Sequence, residues 1–217
     1  MAAYDLEEQE QLSAIKAWWE KNGNSVTWLV TAVAVAVLGV QGWRWYQNNQ
    51  AQQAGALYAS LLQASDKNEA AKVKVFSGDL VSKYSGAMAA DLGAIVAAKS
   101  EAEAGDLKSA ALKLQWVADN SKDPAMRDLA RLRLAAVQID SKSFDAALKT
   151  LEKAPDEAFL PRFEDLRGDA YFAKGANKEA AAAYKRALTA YDKAPTAAFG
   201  SVFKNVIETK LESLGGA

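Results

Sequence analysis

Hydrophobic and polar positions divide the chain into one long apolar run and a series of shorter amphipathic segments. The run from Asn22 to Trp43 holds 22 residues without a charge. A helix of about that length rises roughly 33 Å, close to the thickness of a bilayer's hydrocarbon layer. Beyond residue 46, apolar side chains recur at helical spacing between Gly, Asp or Pro breaks, and no stretch alternates as a strand does. This pattern predicts helices at about 47–65, 70–84, 87–104, 107–120, 125–139, 143–154, 159–174, 177–192 and 197–213.

Aromatic side chains mark both ends of the apolar run. Trp28 lies near its start, and Trp43, Trp45 and Tyr46 crowd its end. Rings with one polar edge concentrate at membrane interfaces, so we expect these four to flank a transmembrane anchor. A buried helix or strand of a soluble core and a cleaved signal peptide are the alternatives. A strand of this length would be unusual. A signal peptide would begin with a positively charged segment, whereas residues 1–21 are acidic, and residues 40–42 make a poor cleavage site.

Charges around the run predict its orientation and the division of the chain. Residues 1–21 carry five acids against two bases, Lys16 and Lys21, a net charge of −3. Those lysines flank one side of the run, whereas Arg44 alone flanks the other. The positive-inside rule therefore favours a cytoplasmic N-terminus. The prediction is an acidic cytoplasmic tail at 1–22, a transmembrane helix at 23–46, and a helical domain at 47–217 on the far side of the membrane.

The tail itself has the pattern of an amphipathic helix. Apolar residues such as Ile15, Trp18 and Trp19 can lie in the membrane interface while the acids face water. Acidity disfavours simple adhesion to anionic lipid, so we predict a protein contact through Trp18 and Trp19 near the membrane. Contact with membrane lipid alone is the alternative.

Three segments of the helical domain, 105–114, 142–151 and 175–184, align as copies. Alanine at a helix crossing lets two backbones approach, and a large residue one turn later fills the groove between them. These positions predict the packing of the helix pairs, and the alternative is an unrelated alanine-rich helical array. The alanines and the large residues that follow them are Ala110, Ala147 and Ala180, then Leu114, Leu151 and Tyr184.

These copies resemble the tetratricopeptide repeat, a helix pair of about 34 residues. The last copy is the best match, with Gly168-Asp-Ala-Tyr171 in its first helix, whereas Ala135 occupies the usual glycine position of the copy before it. The 47–84 region reads as helix pairs without the signature. The predicted fold is therefore all-α, with a single N-terminal transmembrane helix followed by a tetratricopeptide-like solenoid.

The whole chain resembles the bacterial YfgM family of ancillary SecYEG translocon subunits. The resemblance rests on the acidic tail from Tyr4 to Leu12, the Trp18-Trp19 pair before the span, and the repeats beyond it. It implies a single-pass protein of the bacterial inner membrane, with a cytoplasmic N-terminus and a periplasmic repeat domain. It also implies two partners, the SecYEG translocon and a membrane-anchored periplasmic chaperone of the peptidyl-prolyl isomerase class.

The residue inventory argues against catalysis. There is no histidine or cysteine, which excludes the common nucleophile–base pairs and zinc sites, and no glycine pattern for nucleotides occurs. Beyond residue 21 the chain carries 24 bases and 22 acids, so it lacks the electrostatic signature of nucleic-acid binding. We predict no enzyme activity, no cofactor, no metal and no nucleic-acid partner. Neighbouring carboxylates such as Glu101/Glu103 and Glu164/Asp165 are interpreted as solvated surface.

The first helix of each repeat pair usually lines a concave face where partner segments bind. In the best-matched repeat this helix is predicted to present Arg162, Asp165, Asp169 and Phe172 to the groove, although Phe172 could also be core. Trp116 is interpreted as core rather than as a ligand platform. The predicted function is a non-enzymatic subunit of the translocon that scaffolds the chaperone. The alternatives are a scaffold for another envelope-assembly or division process, and an enzyme that uses its carboxylates.

Overall fold

The computed structural model describes residues 2–193 and 200–215, which form helices and connecting turns without a strand. Within these residues the all-α prediction is confirmed. The helices are α1 (Ala2–Asp66), α2 (Ala70–Lys83), α3 (Met88–Glu103), α4 (Leu107–Asn120), α5 (Pro124–Asp140), α6 (Phe144–Thr150), α7 (Leu160–Ala173), α8 (Asn177–Lys193) and α9 (Gly200–Ser213). Residues 197–199 of the last predicted helix lie outside the described residues.

The chain divides into two compact units, Met1–Gln50 and Ala51–Ala217. The sequence placed the corresponding boundary after Tyr46, four residues earlier. The acidic tail, the apolar run and the segment 47–65 all belong to the single helix α1. The sequence explains this continuity because the first proline is Pro124, so nothing in these 65 residues removes a backbone donor.

The turn between the two helices of each pair has the same left-handed backbone conformation. The φ angle is +82° at Gly105, +59° at Lys142 and +78° at Gly175, the first residues of the three aligned copies. Asn68 has the same conformation, with a φ angle of +56°. Left-handed φ values cost a residue with a Cβ atom, so their recurrence at one register marks a structural repeat. The spacing therefore gives the 47–84 region, which was predicted as helix pairs without the signature, the same register as the three aligned copies.

Five residues after each left-handed turn stands a buried apolar side chain. Ala110, Ala147 and Ala180 have no exposed surface, and Val73 takes the same position in the 47–84 region with 1% exposed. The second helix of each of the four pairs, which is α2, α4, α6 or α8, thus buries an apolar side chain at the same register. The core is correspondingly divided into successive clusters along the array, and the last two centre on Phe163 and Tyr184.

One predicted helix is shorter than expected. The sequence predicted a helix over 143–154, but α6 ends at Thr150. Pro155 has no N–H to donate to the carbonyl of Leu151, and it disfavours helical geometry in the residue before it. That carbonyl instead accepts a hydrogen bond from Arg167 Nη2 at 2.7 Å, and the Lys153 carbonyl accepts one from Arg131 Nη1 at 2.9 Å. Two arginines therefore replace the missing helical bonds.

Candidate functional site

The apolar run forms the part of α1 that is long and apolar enough to cross a membrane, and no other helix of the described chain meets that test. Only 6% of the most apolar 18 residues of this run is buried inside the structure. The hydroxyls of Thr27 and Thr31 donate to the carbonyls of Gly23 and Thr27, each at 2.8 Å. These bonds satisfy the polar atoms of the run within the helix itself. The segment is therefore a candidate membrane span.

The predicted interfacial aromatics are all exposed. Trp28, Trp43, Trp45 and Tyr46 leave between half and three quarters of their surface free. The rings of Trp43 and Tyr46 lie 6.1 Å apart, centroid to centroid. Exposed aromatic side chains therefore lie at both ends of the apolar run, the arrangement typical of helices whose ends lie at the two membrane interfaces.

The tryptophan pair of the tail is also exposed, at 54% for each ring. The two centroids are 6.4 Å apart with a tilt of 42°. A Cβ atom on Gly23 would lie 3.0 Å from the Trp19 indole nitrogen, so that glycine leaves room for the ring against the helix. The pair therefore presents a broad apolar surface immediately before the span, which suits contact with a partner protein or with lipid.

Tyr184 fills the contact between α7 and α8 in the best-matched repeat. A Cβ atom on Gly168 would lie 2.2 Å from Tyr184 Cε1, far inside the contact distance of two non-bonded carbon atoms. The ring is 2% exposed, and its hydroxyl donates to Asp169 Oδ1 at 2.8 Å. Burial is the main cause that raises the pKa of the Tyr184 hydroxyl, and the hydrogen bond to Asp169 raises it further. Tyr184 is thus locked between α7 and α8, the packing role that the sequence predicted for it.

The face predicted to bind a partner in this repeat is contacted by α9. Lys210 Nζ donates to Asp165 Oδ1 at 2.8 Å and to Asp169 Oδ2 at 2.9 Å. The Arg162 guanidinium lies 3.9 Å from the centroid of the Phe203 ring. Ile207 of α9 is fully buried in the cluster that contains Tyr184. The chain's own last helix therefore engages three of the four predicted groove residues.

Asp165 requires a correction. The sequence placed it at the groove and also on the solvated surface, but its side chain is 1% exposed and bonded to Lys210 and Arg162. Burial is the main cause that raises the pKa of this carboxyl, and the nearby Asp169 adds to it. The reason for the difference is α9, whose basic side chain brings the carboxylate into the interior. Asp165 holds helices together and has no free surface for a partner.

Two other acids predicted as solvated surface lie at contacts between helices. Glu164 accepts hydrogen bonds from Arg167 and Arg186, each at 2.8 Å, so it joins α7 to α8. The carboxylate of Glu101 is half-buried, and its Oε1 forms an ion pair with Lys113 Nζ of α4 at 3.4 Å. Glu103 remains exposed, as predicted. The expectation failed at both positions because a basic side chain of a neighbouring helix pairs with the carboxylate, Arg186 of α8 with Glu164 and Lys113 of α4 with Glu101.

Two aromatic residues have the exposure that partner contact requires. Phe172 is 53% exposed and lies three residues after Asp169, hence on the same face of α7. Trp116 is half-buried and packs against two core clusters. Phe172 therefore remains available on the predicted face, whereas Trp116 contributes to the core and keeps part of its ring accessible. Within the described part of the chain, no cluster of three or more acids is arranged to hold a metal ion.

The chain matches the family described as a tetratricopeptide repeat-like domain over residues 16–216. It is 33% identical to the ancillary SecYEG translocon subunit of Neisseria gonorrhoeae, over 99% of this chain and 100% of that protein. Proteins of the same name from Haemophilus influenzae and Escherichia coli are 33% and 29% identical, over 80% and 82% of this chain and 84% and 85% of their own lengths. No solved structure matches the chain significantly. With an apolar N-terminal helix, repeats in one register and full-length similarity to these proteins, the chain belongs to the YfgM family.

Proposed function

We propose that this chain is a non-enzymatic ancillary subunit of the Sec translocon in the bacterial inner membrane. The observation that carries this proposal is the similarity over 99% of the chain to a protein named for that role. The single apolar helix gives the chain a means of residing in the membrane where the translocon lies. The described residues offer packing and docking surfaces, which suit a scaffold.

We further propose that the two units contact different partners. The exposed Trp18 and Trp19 pair contacts the translocon close to the membrane, where that complex is accessible. The repeat domain lies in the periplasm and holds a membrane-anchored chaperone of the peptidyl-prolyl isomerase class. Phe172 is the anchor residue for that contact because it is exposed on the face of α7 that repeat proteins use for partners.

Copurification tests the translocon contact. The tagged full-length chain is extracted in mild detergent, and recovery of the translocon is compared with recovery by a chain that lacks residues 2–19. The deletion should lower translocon recovery and preserve chaperone recovery. Failure of the intact chain to recover the translocon would refute the proposal and favour a scaffold for another envelope-assembly or division process.

A single substitution tests the chaperone contact. Phe172→Glu adds a charge to an exposed position, so the domain should stay folded while chaperone recovery falls. Met88→Glu, which changes another exposed apolar residue at 46% exposure, is the control and should leave recovery intact. Substitutions of Arg162 and Asp169 are unsuitable because both residues hold α9. Unchanged recovery with folded Phe172→Glu would move the site to the 47–84 region.

Orientation is tested by protease added to spheroplasts. The basic Lys16 and Lys21 flank predicts that the repeat domain is digested and that an N-terminal tag is protected. Protection of the repeat domain would invert the topology, and a mature chain that begins near Trp43 would show that the span is a cleaved signal.

A further inference from the structure

A groove lies between α4 and α6, the second helices of neighbouring pairs, and α5 forms its floor. It consists of two adjoining cavities of about 510 and 420 Å³, which share the walls formed by Gln115, Leu134 and Gln138. Both α4 and α6 pack against α5, and the space between them is open to solvent. This space, the α4–α6 groove, uses other helices than the α7 face that carries Phe172.

Helical spacing and one hydrogen bond build the floor of the groove. Arg127, Leu134 and Gln138 recur at helical spacing along α5 and so share one face. The hydroxyl of Thr150, the last residue of α6, donates to Gln138 Oε1 at 2.8 Å and ties α6 to that floor. Within the described chain, the Gln138 amide nitrogen has no acceptor, so its N–H groups remain available to a ligand.

The larger cavity has an excess of positive charge. Its described lining residues include four bases and one acid, namely Arg127, Arg131, Lys149, Lys153 and Asp119. Arg131 forms an ion pair with Asp128, which compensates its charge. The carboxylate of Asp119 accepts hydrogen bonds from Gln115 Nε2 at 2.9 Å. Three uncompensated bases therefore face one acid, and the cavity attracts an anion.

The three bases are held at the groove but keep their charge. Arg127 is half-buried, and its Nη1 donates to the Ser121 carbonyl at 2.8 Å, which fixes the guanidinium without neutralising it. Lys149 and Lys153 are exposed, and no carboxylate of the described residues lies within ion-pair distance of either. The Lys153 carbonyl accepts a hydrogen bond from Arg131 Nη1, so residue 153 is held at the end of the groove.

The smaller cavity adds an apolar surface beside these charges. Leu107, Ala111 and Leu112 line its α4 side, and Leu112 is 64% exposed. Leu134 is 2% exposed and lines both cavities. In an extended peptide, side chains two residues apart point to the same side. An acidic and an apolar side chain at that spacing can therefore enter the two cavities together.

We propose that the α4–α6 groove binds an acidic segment of a partner protein in an extended conformation. A carboxylate of that segment pairs with Arg127 and with Lys149 and Lys153, and an apolar side chain two residues away packs on Leu112. The recess favours a peptide over a membrane surface, because the half-buried Arg127 and the buried Leu134 lie where a flat array of headgroups does not reach. The site is separate from the proposed chaperone contact at Phe172.

The test uses the full-length chain in phosphatidylcholine nanodiscs, labelled with ¹⁵N at glutamine. The side-chain amide signals of Gln115 and Gln138 are identified by their loss in Gln115→Asn and Gln138→Asn. The peptide acetyl-Leu-Ala-Glu-Ala-Leu-amide should shift both signals. Peptides with glutamine or lysine in place of the glutamate, or alanine in place of both leucines, should bind at least about tenfold more weakly. No shift with the glutamate peptide, or equal affinity for the glutamine or alanine peptides, would overturn the proposal.

Matched substitutions locate the contact. Arg127→Gln should weaken binding of the glutamate peptide by about tenfold or more, whereas Arg133→Gln, the same change at an exposed position of α5 outside the groove, should leave it unchanged. Lys149→Gln should also weaken binding, and Lys178→Gln on α8 should not. Because Lys149 is exposed, its effect measures binding even where loss of the Arg127 bond to Ser121 lowers stability. Equal effects within both pairs would show attraction by net charge alone and would refute the assigned site.

Two measurements detect other occupants of the groove. A shift of the Gln115 and Gln138 signals on replacing phosphatidylcholine with phosphatidylglycerol, without peptide, would assign the groove to the membrane surface. Sedimentation in detergent of the wild type and of Lys149→Glu would reveal a second copy of the chain as a dimer that the substitution dissociates. We expect neither the lipid shift nor the dimer, and either result would overturn the proposal.

Discussion

The close approach of α7 and α8 makes one substitution decisive. Gly168→Ala and Gly78→Ala add the same methyl group to the interior of a helix. At Gly168 that methyl would lie 2.2 Å from Tyr184 Cε1 and 2.4 Å from Cδ1, whereas at Gly78 it would meet nothing within 4 Å. The two changes should therefore alter the free energy of unfolding in opposite directions.

The magnitudes follow from the contacts. Overpacking costs about 1–3 kcal/mol, and a shift of the Tyr184 ring also loses its bond to Asp169, worth about 1 kcal/mol. Alanine returns about 1 kcal/mol of helix propensity. Gly168→Ala should thus lower stability by about 2 kcal/mol, and Gly78→Ala should raise it by about 1 kcal/mol.

Thermal unfolding followed by circular dichroism measures both changes in the full-length chain. In a domain of this size about 1 kcal/mol corresponds to a shift of roughly 2–4 °C in Tm. Adding Tyr184→Leu to Gly168→Ala should restore part of the loss, because it reproduces the alanine–leucine pair that Ala135 and Leu151 form in the preceding repeat. Shifts of the same sign for the two alanine variants, or no rescue by leucine, would refute the assigned contact.

Three further predictions concern the repeat register and its charges. Lys142→Gly should stabilise the chain by about 1 kcal/mol in urea denaturation, because a left-handed φ angle of +59° strains a residue with a side chain. Ala180→Glu should lower Tm clearly, since the alanine has no exposed surface, whereas Lys178→Glu on the outside should change it little; equal effects would contradict the register. The raised pKa of Asp165 means that the folded chain binds a proton more tightly there than the unfolded chain does. Stability should therefore fall as pH rises from about 3.9 through the raised folded value, and the difference in Tm from Asp165→Asn should vary over that range; a difference independent of pH would show that the carboxyl does not titrate there.

The sequence revealed what depends on local chemistry. The uncharged run, the prolines at breaks and the alanines of three copies predicted the helices and the repeat order to within a few residues. The copy at 47–84 lacks the signature because Val73 replaces the alanine and Ser77 replaces the large residue found at Leu114 and Leu151. Its bulk comes instead from Leu61, which is fully buried at the register where later copies have alanine or glycine. Packing conserves the volume between two helices rather than the residue type at either position.

The candidate site was harder to predict because it depends on contacts distant in sequence. Asp165 and Lys210 are 45 residues apart, and no local pattern shows that they meet. Glu101 and Lys113 are close in sequence but lie on different helices, so helical spacing does not show their contact either. Single exposed residues such as Phe172 were easier, since helical spacing alone placed it on the face of Asp169.

The docking of α9 covers the apolar side of the best-matched repeat. Each helix pair of a solenoid has an apolar side that packs against the next pair. The last pair therefore needs a capping element with a polar outer face to remain soluble. Here α9 covers that side of α8 with Ile207 and turns Asn205, Thr209 and Glu212 to solvent. A chain that stopped at Lys193 would leave Tyr184 beside an open edge onto which another molecule could stack. The fourteen residues of α9 therefore protect the apolar side of α8 from solvent.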